Sequence, residues 1–168
     1  MTLIIFFVIC NAMNVSAQFK SVTIGVDGLT CSSCSYGVEQ ALRKLDFVKD
    51  VKTDLNAATA TVSFSKDKKI SFDELVKKVY QAGFSVRFTN AVYHFQQPRK
   101  LSSDTVMIEQ QVYYFLQTPP ANLQGDVTLQ LIGEKYVSKK TLKQWQPQME
   151  MARIKYPLLS PDTYYVLL

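Results

Sequence analysis

The sequence predicts an α+β protein: a ferredoxin-like βαββαβ sandwich over residues 18–95, a linker over 96–104 and a small β-rich unit over 105–168. Two stretches place apolar residues at i, i+3, i+4 and i+7, namely Val38, Ala41, Leu42 and Leu45, then Phe72, Leu75, Val76 and Val79. That is the period of a helix with one buried face. Four short stretches around them alternate apolar with polar residues, as half-buried strands do. The resulting order, β-α-β-β-α-β in about 70 residues, is the split βαβ unit, in which two helices cover one face of four antiparallel strands.

Each element has its own signal. Val22 to Val26 alternate with Thr and Gly, and the loop "GLTCSSC" follows before the first helical period. "VKDVKTDL" puts Val51, Thr53 and Leu55 on one side, Asn56-Ala57 turns the chain, and "TATVSFS" repeats the alternation at Ala60, Val62 and Phe64, which makes a hairpin. Ser71 and Glu74 form a capping box at the second helix, with Ile70 and Leu75 as its hydrophobic staple. Gly83 supplies the left-handed residue that stops it. "FSVRF" then alternates Phe84, Val86 and Phe88 as a fourth strand.

Beyond the polar "QQPRKLSSD", "VMIEQQVYYFL" alternates Val106, Ile108, Val112, Tyr114 and Leu116, and "GDVTLQLIG" alternates Val127, Leu129 and Leu131. Ser138 caps a helix that turns Leu142 and Trp145 inward and that Pro147 limits; "ARIKYPLL" and "TYYVLL" read as short strands. A unit this small has little core of its own and is expected to lean on the first.

The chain of 168 residues carries a formal charge of +5, but its Lys and Arg are interleaved with Asp and Glu, as in "KDKKISFDELVKK". This reads as a solvated mixed-charge surface rather than a nucleic-acid footprint, and "TATVSFS" lacks the aromatic pattern of RNA-recognition strands. No Ser-His-Asp set, G-x-S-x-G elbow, phosphate-binding loop or phosphorylation stretch is present, so no enzymatic activity is expected. "MTLIIFFVIC" is nearly all apolar, and "VSA" closes the run at Ala17. Residues 1–17 therefore read as a signal peptide, which places the remainder in the periplasm or the medium and confines membrane association to an uncleaved signal segment.

Removing that segment leaves two cysteines, Cys31 and Cys34. At a loop-to-helix junction, amide groups and the helix dipole lower a thiol pKa. Two thiolates three residues apart suit a soft ion such as Cu(I), whereas structural zinc wants four ligands. In an oxidising compartment the same pair also fits a thiol-disulfide couple or a bridge that staples a loop. His94, the single histidine, reads as packed or exposed, and Met149 and Met151 in "QMEM" read as gap-fillers rather than thioether ligands.

"GLTCSSC", followed by "VEQALRKLDFVKDVKTDLNAATATVSF" and "LVKKVYQAGFSV", resembles the heavy-metal-associated domain of copper chaperones, copper-transporting ATPases and the periplasmic mercury-binding protein. The resemblance covers residues 20–90. It implies that Cys31 and Cys34 are metal ligands, that Thr30 shapes the loop and that Phe84 shields the sulfurs. It also implies Cu(I) or Hg(II) as cargo, passed to a metal-transporting ATPase or to an efflux or receptor protein with CxxC or Met ligands. Leu29 stands where the family usually has Met, a volume-conserving swap. Residues 105–168 fall outside the resemblance, and one reading makes them a docking unit for a membrane partner.

Overall fold

The computed structural model describes residues 19–66, 68–157 and 163–168; the signal segment expected at 1–17 lies outside them. The elements run β1 (Phe19–Asp27), α1 (Ser32–Arg43), β2 (Val48–Asp54), β3 (Thr59–Phe64), α2 (Phe72–Gln81), β4 (Ser85–Lys100), β5 (Thr105–Ile108), β6 (Gln111–Phe115), β7 (Asn122–Ile132), α3 (Lys139–Lys155) and β8 (Tyr164–Leu167). The strands form one sheet in the order β2-β3-β1-β4-β7-β8-β6-β5, antiparallel except for the β6–β8 pair. Its first half is the ferredoxin-like unit, and the C-terminal strands extend the same sheet.

The helical periods are realised as read. Val38 and Leu42 of α1 and Leu75 and Val79 of α2 are fully buried against Val22, Ile24 and Val26 of β1. Ser71 caps α2, its hydroxyl accepting from Glu74 N at 3.3 Å. At the other end Gly83 takes φ +88°, its N–H donates to Tyr80 O, and Phe84 N donates to Val79 O. Those two bonds are the Schellman pattern.

The fourth strand differs from its expected form in two ways. The expected linker over 96–104 is strand as far as Lys100, and Arg99 and Lys100 pair with Leu123 and Asn122. Pro98 sits where the β4–β7 register shifts, between Phe95 and Arg99, and an irregularity is where a strand tolerates a residue without an N–H. Phe88 also does not share a face with Val86. β1 pairs Gly25 with Phe88 and Val26 with Val86, so Arg87 is an extra residue, a β-bulge. Beyond it Thr89, Ala91, Tyr93 and Phe95 turn to the helix side and are buried, while Phe88 lies across Gly25. A Cβ on Gly25 would stand 2.5 Å from the Phe88 ring.

The C-terminal half departs further. "VMIEQQVYYFL" is two strands, because Glu109 and Gln110 both adopt positive φ (48° and 66°) and Ile108 pairs with Gln111. A two-residue hairpin with both central residues left-handed is a type I′ turn. It resets the alternation, so that Val106, Ile108, Tyr113 and Phe115 enter the main core while Tyr114 and Leu116 face α3. α3 runs through Pro147 to Lys155, so residues 152–155 of "ARIKYPLL" are helix rather than strand. Ser138 caps it, and Leu142, Trp145, Met149 and Ala152 pack on a second cluster with Ile132 and Tyr165. This packing offsets the intrahelical bond that Pro147 cannot make.

The sheet is strongly curled. β1 and β6 stand four positions apart, which in a flat sheet is about 19 Å at the usual strand spacing. Yet the Phe19 and Tyr113 rings lie 6.0 Å apart. Phe19 also contacts Phe72 and Tyr93 edge-on, which ties the two halves into one core.

Two consequences are measurable by urea unfolding. Gly25→Ala forces the Phe88 ring off β1, and a loss of about 1–3 kcal/mol is expected, the usual cost of overpacking. Thr89, fully buried, donates its hydroxyl to Tyr136 O at 3.0 Å. Thr89→Val keeps the shape and strands that carbonyl, so about 1–3 kcal/mol should be lost.

Candidate metal centre

The loop between β1 and α1 is fixed at three points. Gly28 takes φ +84°. Leu29 is fully buried and anchors the loop in the core. Thr30 is exposed, and its backbone N–H donates to Gly28 O at 2.9 Å, closing a three-residue turn.

Cys31 is then the N-cap of α1, with extended backbone (φ −139°). Its Sγ accepts from Cys34 N at 3.1 Å, and the Ser33 hydroxyl lies 3.1 Å from the same sulfur. A sulfur thus occupies the place that a Ser, Thr or Asp oxygen usually takes. The first turn of α1 holds no acidic residue, so the positive end of the helix faces the sulfurs unopposed, and negative charge on sulfur is stabilised there. Cys34, in the first turn, is half-buried and packs on the core. The Cα atoms are 5.1 Å apart, and the two residues are bridged. The Ser33 contact was not anticipated from the sequence; its only signal is a hydroxyl inside "CSSC".

Phe84 is held at the end of α2 by the Schellman turn. Its ring is half-buried and lies 3.8 Å from where a Cβ on Gly28 would stand. It therefore borders the base of the loop. The other candidates do not converge here. His94 Nδ1 pairs with Asp126 Oδ1 on the exposed side of β4, and Lys20 Nζ binds the other oxygen at 2.7 Å. Lys20, then His94, hold the Asp126 carboxyl below its usual range. Met149 packs under α3, whereas Met151 is 68% exposed. Two residues apart on a helix do not share a face, so they form no joint thioether site. Among the described residues no cluster of three or more His, Cys, Asp or Glu side chains is placed to hold a metal. The donor set at the loop is therefore two sulfurs, which fits a soft ion of low coordination number and not a closed zinc site.

An α+β fold of this order thus carries its cysteine pair at the start of the first helix. The family profile described as heavy-metal-associated domain matches residues 23–85. The mercuric transport protein periplasmic component of Pseudomonas fluorescens is 37% identical over 68 residues, 40% of this chain and 74% of that protein. A copper-exporting P-type ATPase of Staphylococcus saprophyticus is 38% identical over 69 residues, 40% of this chain but 8% of the ATPase. The solved structure of oxidized MerP from Ralstonia metallidurans CH34 is 35% identical, covering 41% of this chain and 97% of that one, at a TM-score of 0.37. Through residues 23–85 the chain belongs to the heavy-metal-associated domain family. It spans less than a tenth of the copper ATPases it matches.

The bridge sets a redox condition, because thiolates and not a disulfide ligate metal. Thiol counting under air is expected to find no free thiols at Cys31 and Cys34 in the metal-free protein. Protein first reduced and loaded with Cu(I) should keep the pair protected. Two persistent free thiols in the metal-free form would contradict an accessible pair.

Proposed function

We propose that the reduced chain binds one Cu(I) ion between Cys31 and Cys34 and transfers it by thiolate exchange. The observation that carries this reading is the placement of both sulfurs at the exposed start of α1, with no third protein ligand beside them among the described residues. A thiol reductant opens the bridge by giving two electrons to the sulfurs, itself becoming a disulfide. The two thiolates then hold the cargo ion and leave it open to a third. An acceptor ligand adds to the ion and one cysteine departs as thiolate; a second acceptor ligand then displaces the other cysteine, so the ion passes on without being set free. The acceptor is a metal-transporting ATPase, or an efflux or receptor protein, that presents CxxC or Met ligands. The reading of residues 1–17 as a signal peptide supports an exchange outside the cytoplasm; no helix of the described residues is long and apolar enough to cross a membrane.

Hg(II), equally soft, is the second reading. It is favoured by the 37% identity to a mercuric transport protein. Titration of the reduced protein with each ion separates the two. One-to-one binding is expected, and either Cys31→Ser or Cys34→Ser should abolish it. Unchanged affinity in both variants sinks the assignment. Metal-independent insulin reduction that Cys34→Ser abolishes would instead make the pair a thiol-disulfide oxidoreductase.

A further inference from the structure

A cleft of about 630 Å³ opens between the first turn of α2 and the β7–α3 loop, within the size range of small-molecule sites. Lys69, Ser71 and Asp73 form one side; Tyr136, Arg153 and Thr163 stand on the other. The family match ends at residue 85, so the cleft exists only where the extension meets the family domain. It is also remote from the cysteines. Those lie by the C-terminal end of α2, and the 10 residues of that helix span about 15 Å.

The wall carries charge of both signs, Lys69, Lys135 and Arg153 against Asp73, Glu134 and Glu150. Part of it is already satisfied. Lys135 Nζ lies 3.3 Å from Asp73, which also accepts from the Tyr136 hydroxyl. Gln146 Nε2 donates to Glu150 at 3.1 Å. Arg153 lies over the Tyr165 ring at 5.9 Å. Among the described residues Arg153, Lys69, Glu134 and Glu150 have no ion-pair partner, and Thr163 Oγ1 is buried without a hydrogen bond. What remains is therefore two cations, two carboxylates and a hydroxyl around one cavity. A dianion would meet the three carboxylates, and a neutral molecule would leave the cations unmatched.

We propose that this cleft binds a small zwitterion, a free amino acid or a short peptide, with its carboxylate on Arg153 and Lys69 and its ammonium on Glu134. Planar, forked Arg suits a carboxylate.

The test is amide chemical-shift titration of the chain from residue 18 onward with four probes: L-alanine, triglycine, N-acetyl-triglycine amide and inorganic phosphate. Saturable shifts around Arg153 and Thr163 are expected with a zwitterion. Tighter binding of L-alanine identifies a free amino acid, and tighter binding of triglycine identifies a peptide. Arg153→Gln and Lys69→Gln should each weaken that binding by about tenfold or more, with the circular dichroism and the Cu(I) stoichiometry at the cysteines unchanged. The proposal is overturned if neither zwitterion saturates, if the uncharged amide or phosphate binds as tightly, or if both variants bind like the parent.

Discussion

β4 is hydrogen-bonded along both of its edges. From Ser85 to Tyr93 it pairs with β1, and from Asn90 to Lys100 it pairs with β7. In a four-stranded βαββαβ unit this strand would close one side of the sheet. Here its length makes it the shared spine of two halves, and everything beyond residue 100 is aligned by it. The curl of the sheet follows, because a bulge at Arg87 and a second irregularity near Pro98 both increase local twist. That curl carries Phe19 to Tyr113 and merges the family core with residues contributed by β5, β6 and β8.

The segment between β7 and α3 reinforces the spine. Tyr136 binds Asp73 and receives Thr89, Tyr80 donates its hydroxyl to Lys135 O, and Ser138 N donates to Arg87 O. These bonds hold α2 and β4 from outside the family domain. The same α2 ends in the turn that sets Phe84 beside Gly28. The cysteine loop therefore rests beside a helix that the extension braces at both ends, through Asp73 and through Tyr80.

The dithiol site was legible because its parts are local. The Cys pair and the buried Leu29 lie within a few residues of the first helical period, and Ser71 and Gly83 mark the ends of the second. What stayed hidden depends on one-residue shifts or on distant partners. Arg87 as a bulge sends Phe88 to the other face, since the period of a strand is two. Glu109 and Gln110, neither a usual left-handed residue, hide a tight turn inside an alternation that appears continuous. "QQPRK" is polar because its strand is exposed on both faces, and polarity with a proline reads as linker. The helix beyond Pro147 survives on packing against Ile132 and Tyr165, which local propensity does not contain. The cleft joins Lys69 to Arg153 and Thr163, residues that only the eight-stranded order brings together.

Among the described residues an open sheet of this width leaves two borders able to recruit foreign backbone, and both are blunted. β2 reads Val-Lys-Asp-Val-Lys-Thr-Asp, with Lys49 and Lys52 exposed, and charge on a border strand discourages a second chain from adding. At the other border β5 is only four residues long and ends in a left-handed turn. Long strands such as β4 and β7 are enclosed between neighbours, and the four-residue β5 and the heavily charged β2 are left outside. A protein built around a sixteen-residue strand thereby keeps its longest run of backbone donors and acceptors away from other copies of itself.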